Sequence, residues 1–106
     1  MKLLIVTAIK ECRKEVAGIF EKNGIKTYSV ANIHGVRNDE ANNMVDNWFG
    51  GNWDEDYESV MLFSFTDDAT AANILADIKF FNIEKKSRFP VKGIIVPIEK
   101  TEGFEE

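Results

Sequence analysis

Along this chain the spacing of the apolar positions changes several times, and each change marks a new element. Leu3-Leu4-Ile5-Val6 form an unbroken apolar run within Lys2 to Ile9, which reads as a strand buried on both faces. From Lys10 to Asn23 the period lengthens. Cys12, Val16, Ile19 and Phe20 fall on one side of a helix, and Asn23-Gly24 supplies a stop that tolerates left-handed backbone. Ile25 to His34, carrying Tyr28, Val30 and Ile33, predicts a second strand, and Tyr57 to Phe65, carrying Val60-Met61-Leu62-Phe63, predicts a third. Thr66 is placed to cap a second helix with Asp67 and Asp68 in its first turn, and Ala71, Ile74, Leu75, Ile78 and Phe81 make its inward stripe. After Asn82 the polar link Glu84-Lys85-Lys86-Ser87-Arg88 leads through Pro90 to a strand at Ile94-Ile95-Val96, followed by an acidic tail, Glu99 to Glu106.

The order βαββαβ, without an internal repeat, predicts one α+β domain over residues 1–106: a ferredoxin-like sandwich with a four-stranded antiparallel sheet, both helices on one face and a long loop between strands two and three. Three of the strands are continuously apolar instead of alternating, so large side chains must also point away from the helices. An apolar sheet face of that size invites self-association.

Composition narrows the function. A length of 106 residues with 44% hydrophobic content allows one core. A formal charge of -5 opposes nucleic acid and anionic membranes as bulk partners. The apolar start ends at Lys10-Glu11 without a small-residue cleavage site, and no later run is long enough to span a bilayer, so the expectation is a cytoplasmic protein with no membrane insertion. The single Cys12 makes no internal disulfide and fits a reducing compartment.

The passage Gly24-Ile25-Lys26-Thr27-Tyr28-Ser29-Val30-Ala31-Asn32-Ile33-His34-Gly35, followed by a long excursion and the strand Ser59 to Phe65, resembles the PII-like (nitrogen regulatory protein P-II-like) signalling proteins. The resemblance spans nearly the whole chain through the order of elements, the placement of the loop and the length. It implies a ferredoxin-like homotrimer packed sheet to sheet, ligand clefts between subunits, and an excursion, the T-loop, that contacts a regulated enzyme or membrane transporter. By that resemblance the ligand residues are Gly35 at the end of strand two, Ser29 as the hydroxyl on that strand, and Lys92 ahead of Gly93 as the basic residue. The family's GDGK-type loop is absent, residues 85–92 stand in its place, and the later paired arginines are missing. The implied ligand is therefore a small anion, with an adenine nucleotide as one instance, and no cofactor is named. Arg37, Lys85, Lys86, Arg88 and Lys92 are cations that can surround such an anion where subunits converge, or else form solvated basic turns.

The excursion 36–56 is far longer than a tight hairpin needs, and loops of this length usually carry function. It holds both tryptophans of the chain in Asp46-Asn47-Trp48-Phe49-Gly50-Gly51-Asn52-Trp53-Asp54-Glu55-Asp56. Trp48, Phe49 and Trp53 are either partner anchors, with Gly50-Gly51 allowing rearrangement, or the packing of a compact Ω-like loop. Metal handling by a divergent trimer is the alternative function, with His34, Asp39 and Glu40 near the loop root as candidate ligands, although one histidine per chain falls short of a zinc pattern. No nucleophile sits with a base at a telling spacing, and Asp54-Glu55-Asp56 and Asp67-Asp68 read as a solvated loop and a helix start, so the chain is not expected to be an enzyme.

Overall fold

A computed structural model describes residues 1–34 and 58–104. The elements are β1 (Lys2–Ile9), a 3₁₀ turn (Lys10–Cys12), α1 (Arg13–Lys22), β2 (Ser29–Ile33), β3 (Ser59–Thr66), α2 (Asp68–Lys85) and β4 (Lys92–Pro97). The sheet runs in the order β2-β3-β1-β4, every neighbouring pair antiparallel, which is the ferredoxin-like arrangement expected from βαββαβ.

Strand alternation divides the sheet into two faces. Leu4, Val6 and Ala8 of β1 stand opposite Ser64, Leu62 and Val60 of β3. This inward set joins Val16 and Phe20 of α1 and Ile74 and Ile78 of α2 in one buried cluster, closed at its ends by Ile25 and Val91. The next residues along point the other way: Leu3, Ile5 and Thr7 pair with Phe65, Phe63 and Met61, and Ile94 and Val96 pair with Ile5 and Leu3. Among the described residues no helix covers this outer face, and Phe65 and Ile94 remain 45% and 41% exposed. The continuous apolar runs are thus explained, because both faces of the central strands carry apolar side chains.

Three local expectations are corrected. The first is the start of β2, which begins at Ser29, not Ile25. Gly24, at φ +89, turns the chain sharply after α1, the Ile25 N–H donates to the Phe20 carbonyl, and Ile25 enters the core as a loop residue. The second is the cap of α2, which is Asp67 and not Thr66. Thr66 stays in β3 opposite Lys2, while the Asp67 carboxylate accepts the Thr70 N–H at 2.7 Å; hydrogen bonds from the Thr70 side chain and backbone hold its carboxyl below the usual carboxylate range. The third is the helix end. The link at 84–88 is partly helical, since α2 runs through Lys85 and stops where Lys86 adopts left-handed backbone at φ 53. Between the helices, Asn23 Nδ2 donates to both the Ile19 carbonyl (2.8 Å) and Asp77 (2.9 Å), and Lys22 adds an ion pair to Asp77. The tail returns across the sheet end, setting Phe104 edge-on against Phe65 at 5.1 Å.

Candidate functional site

The link from α2 to β4 is shaped by one side chain. Asn82 Nδ2 donates to the Val91 carbonyl at 2.8 Å, and its Oδ1 accepts the Val91 N–H at 2.9 Å. This two-way clamp pins buried Val91 to the helix, so the bend carrying Arg88, Phe89 and Pro90 is fixed at both ends. Gly93 follows beneath α2, where a Cβ would meet Leu75 Cδ2 at 2.7 Å. Glycine here lets β4 lie close under the helix, and a larger residue would displace the end of the Leu75 side chain. Lys92, between them, faces outward beside Thr7.

Thr7, Ile9, Ser59, Phe89, Pro90 and Lys92 line a shallow cleft at this corner of the outer face. Thr7 and Ser59 are buried, at 4% and 8% exposure, and with Lys92 they make a polar corner on an otherwise apolar surface. Burial holds the Lys92 ammonium below its ordinary pKa. Among the described residues its ammonium makes a long contact, 3.5 Å to the Pro90 carbonyl, and none of the described ion pairs includes it. A half-buried cation beside two hydroxyls is suited chemically to an anion. Arg88 is exposed at the rim, with its guanidinium stacked 5.5 Å from the Phe89 ring centre.

Of the sequence-predicted ligand residues, the structure brings Lys92 and Arg88 to one corner. It places Ser29 elsewhere. Ser29 is exposed on the outer edge of β2, opposite Phe63, and three strand spacings, about 14 Å laterally, separate β2 from β4. A single chain does not hold one small ligand with both. Gly35 and Arg37, and the expected partner anchors Trp48, Phe49 and Trp53, lie outside the described residues, as does the rest of the 36–56 excursion. Thr7, Ser59, Phe89 and Asn82 were not anticipated. Thr7 carried the one available signal, a hydroxyl interrupting the apolar run Leu3 to Ile9.

Among the described residues no three His, Cys, Asp or Glu side chains gather as a metal site. His34 is exposed, and Cys12 is half-buried, its thiol pushed up by burial and by Glu15, as fits a small packing residue. No helix of the described residues is long and apolar enough to cross a membrane.

The layering and strand order define a ferredoxin-like α+β protein, and comparison with solved structures narrows the form of that fold. CPII from Thiomonas intermedia bound to ADP, AMP and acetate superposes with a TM-score of 0.65 at 14% identity, covering 95% of this chain and 88% of that one. A PII-like signalling protein from Thermus thermophilus gives 0.61 at 17% identity over 89% and 82% of the two chains. A DUF3240 family protein from Shewanella baltica gives 0.62 at 16% identity over 98% and 96%. No family model matches the chain, and no curated protein matches it. The fold is that of the PII-like proteins, carried by a divergent sequence.

Proposed function

We propose that this chain is a PII-like regulatory protein that binds a small anionic ligand between subunits and signals through its long loop. The observation that carries this reading is the polar corner at Lys92: a half-buried ammonium beside two buried hydroxyls, at the margin of an apolar sheet face that no helix of the described residues covers. Packing of that face against further copies, as a trimer, removes it from water. In such an assembly the β4 edge of one subunit meets the β2 edge of the next, and Lys92 and Arg88 of one subunit and Ser29 of its neighbour then serve one cleft. CPII, which shares the fold, is described as a nitrogen regulatory PII-like protein and holds ADP and AMP, so adenine nucleotides are the first probes for this chain. Gly35, a ligand residue by the family resemblance, and Arg37, a candidate cation for the same anion, belong to the same proposal. Trp48, Phe49 and Trp53 give the loop apolar anchors for a regulated enzyme or transporter, and ligand binding shifts the populations of loop conformations. Among the described residues no observation favours the metal-handling alternative, whose candidate ligands Asp39 and Glu40 lie outside them.

Titration calorimetry with ADP and AMP tests the cleft, with tryptophan emission followed in parallel because both tryptophans lie in the 36–56 excursion. Binding with a change in emission is the expected result. The Arg88→Ala, Lys92→Ala double variant is expected to bind about 10- to 100-fold more weakly, the loss of one or two charge-assisted contacts, while melting close to the parent because both residues flank the core. A double variant that binds as tightly as the parent refutes the placement. Absence of nucleotide binding together with a stoichiometric divalent metal in native mass spectrometry refutes the ligand class.

A further inference from the structure

Helix α2 is apolar on two sides, and only one of them faces the core. Ala71, Ile74 and Ile78 are buried against the sheet. On the opposite side Ala69, Ala72, Ala76, Phe80 and Ile83 are all exposed, with Phe80 at 65% and Ile83 at 56%. Phe80 and Ile83 are large apolar side chains that the fold of one chain leaves in water, at a cost that grows with their exposed area.

This outer stripe has an internal symmetry. The steps from Ala69 to Ala72, Ala76, Phe80 and Ile83 are three, four, four and three residues, the same in both directions about Ala76 and of the sizes by which packed helices interdigitate. The small residues occupy the N-terminal half and the large ones the C-terminal half. Charge is divided in the same sense, with Asp67 and Asp68 at the start of the helix and Lys85 and Lys86 at its end.

We propose that α2 is a self-association surface on which two copies pack their α2 helices antiparallel about a two-fold axis at Ala76. In that register Phe80 enters the hole bounded by the partner's Ala69, Ala72, Asn73 and Ala76, and Ile83 lies over the partner's Ala69. Each contact occurs twice, as an isologous interface requires. Asp68 approaches the partner's Lys86, and each acidic first turn meets a basic last turn with the helix dipoles opposed. A parallel pairing would set Phe80 against Phe80 and leave the alanine half unfilled. A helix of this length, roughly 27 Å at 1.5 Å per residue, buries less than a standard interface, so the pairing depends on concentration. It is independent of the sheet-face assembly, which uses the opposite side of the molecule, and where both operate each trimer carries three outward α2 surfaces, so that trimers link into species larger than a pair.

Sedimentation of the full chain over a range of concentrations provides the first test. The parent is expected to gain mass above its basic unit as concentration rises, by doubling where that unit is a single chain and by growth past a doublet where it is a trimer, and Ala76→Glu, which keeps a helix former at an exposed position but sets two carboxylates on the axis, is expected to abolish the gain and leave the basic unit and the melting temperature unchanged. Cysteine trapping tests the register. In a Cys12→Ala background, Ala76→Cys is expected to form an interchain disulfide about tenfold faster or more than Ala69→Cys, because the axis brings the 76 positions within disulfide reach while the 69 positions lie roughly 20 Å apart. The Ala69→Cys, Ile83→Cys double variant is expected to trap as fast as Ala76→Cys. Equal trapping at 69 and 76, a gain in mass that survives Ala76→Glu, or a parent that never exceeds its basic unit overturns the proposal. A failed sheet-face assembly is recognised separately, since it changes the basic unit and not its concentration-dependent gain.

Discussion

Phe20→Ala is expected to lower the unfolding free energy by about 3–5 kcal/mol, the range for truncating a buried phenylalanine, out of a total of roughly 5–15 kcal/mol for a domain of this size. Phe20 is among the largest fully buried side chains. It is also the point where several links of the fold meet. Its ring packs edge-on against Tyr28 at 5.3 Å, and its carbonyl receives the Ile25 N–H that turns the chain out of α1. The cavity left by alanine therefore lies between α1 and the approach to β2, where the surroundings are held by backbone hydrogen bonds and collapse only partly. Urea unfolding at fixed protein concentration checks this through a fall in midpoint with the slope retained. Tyr28→Phe is the control: it keeps the ring and removes a hydroxyl whose described contact is a 3.4 Å one to exposed Glu21, so its loss is expected to cost less than about 1 kcal/mol. A Phe20→Ala change of similar size would mean that α1 is anchored elsewhere. Because Tyr28 immediately precedes Ser29, Phe20→Ala is also expected to disturb the β2 edge before the Lys92 corner on the far side of the sheet.

The order of elements was legible because each had a distinct apolar period. Helix α2 shows the limit of that reading. Its inward stripe, Ala71 to Phe81, was visible, but the sequence is apolar on the opposite side as well, and period alone does not say which stripe meets the sheet until Leu75 and Ile78 are seen against Gly93 of β4. Boundaries failed where a local hydrogen bond outweighed propensity. Ile25 has a β-branched side chain and reads as strand, but Gly24 and the bond to the Phe20 carbonyl hold it in a turn. The candidate site was legible as single residues and not as a constellation. Lys92 was identified from its place ahead of Gly93, whereas its neighbours Thr7 and Ser59 come from two other strands and meet it only through the strand register. The Asn82 clamp left no trace, since an asparagine near a helix end has many ordinary uses.

Ile94→Glu is expected to reduce the assembly to single chains while leaving each chain folded. Ile94 sits on β4 opposite Ile5, and Phe63 continues the same row on β3, so in a sheet-to-sheet assembly it enters an apolar layer. Within one chain it is 41% exposed, and glutamate there stays in water at little cost. In the assembly each copy would bury an unpaired carboxylate, at a penalty of several kcal/mol per group. Repetition in every subunit multiplies that penalty, which exceeds what most single contacts contribute to an interface. Light scattering coupled to size exclusion at tens of micromolar measures the mass, and circular dichroism checks the fold. Ile83→Glu, on the outer side of α2, is the matched control, and it is expected to leave the sheet-face unit intact. Loss of the assembly also separates the two halves of the cleft, so an anion served jointly by Lys92 and a neighbour's Ser29 should be released together with it. A parent that is already a single chain at these concentrations, or an Ile94→Glu variant that keeps the parent's mass, removes the sheet face as the interface. In either case the half-buried Lys92 would have to serve a ligand held by one subunit alone.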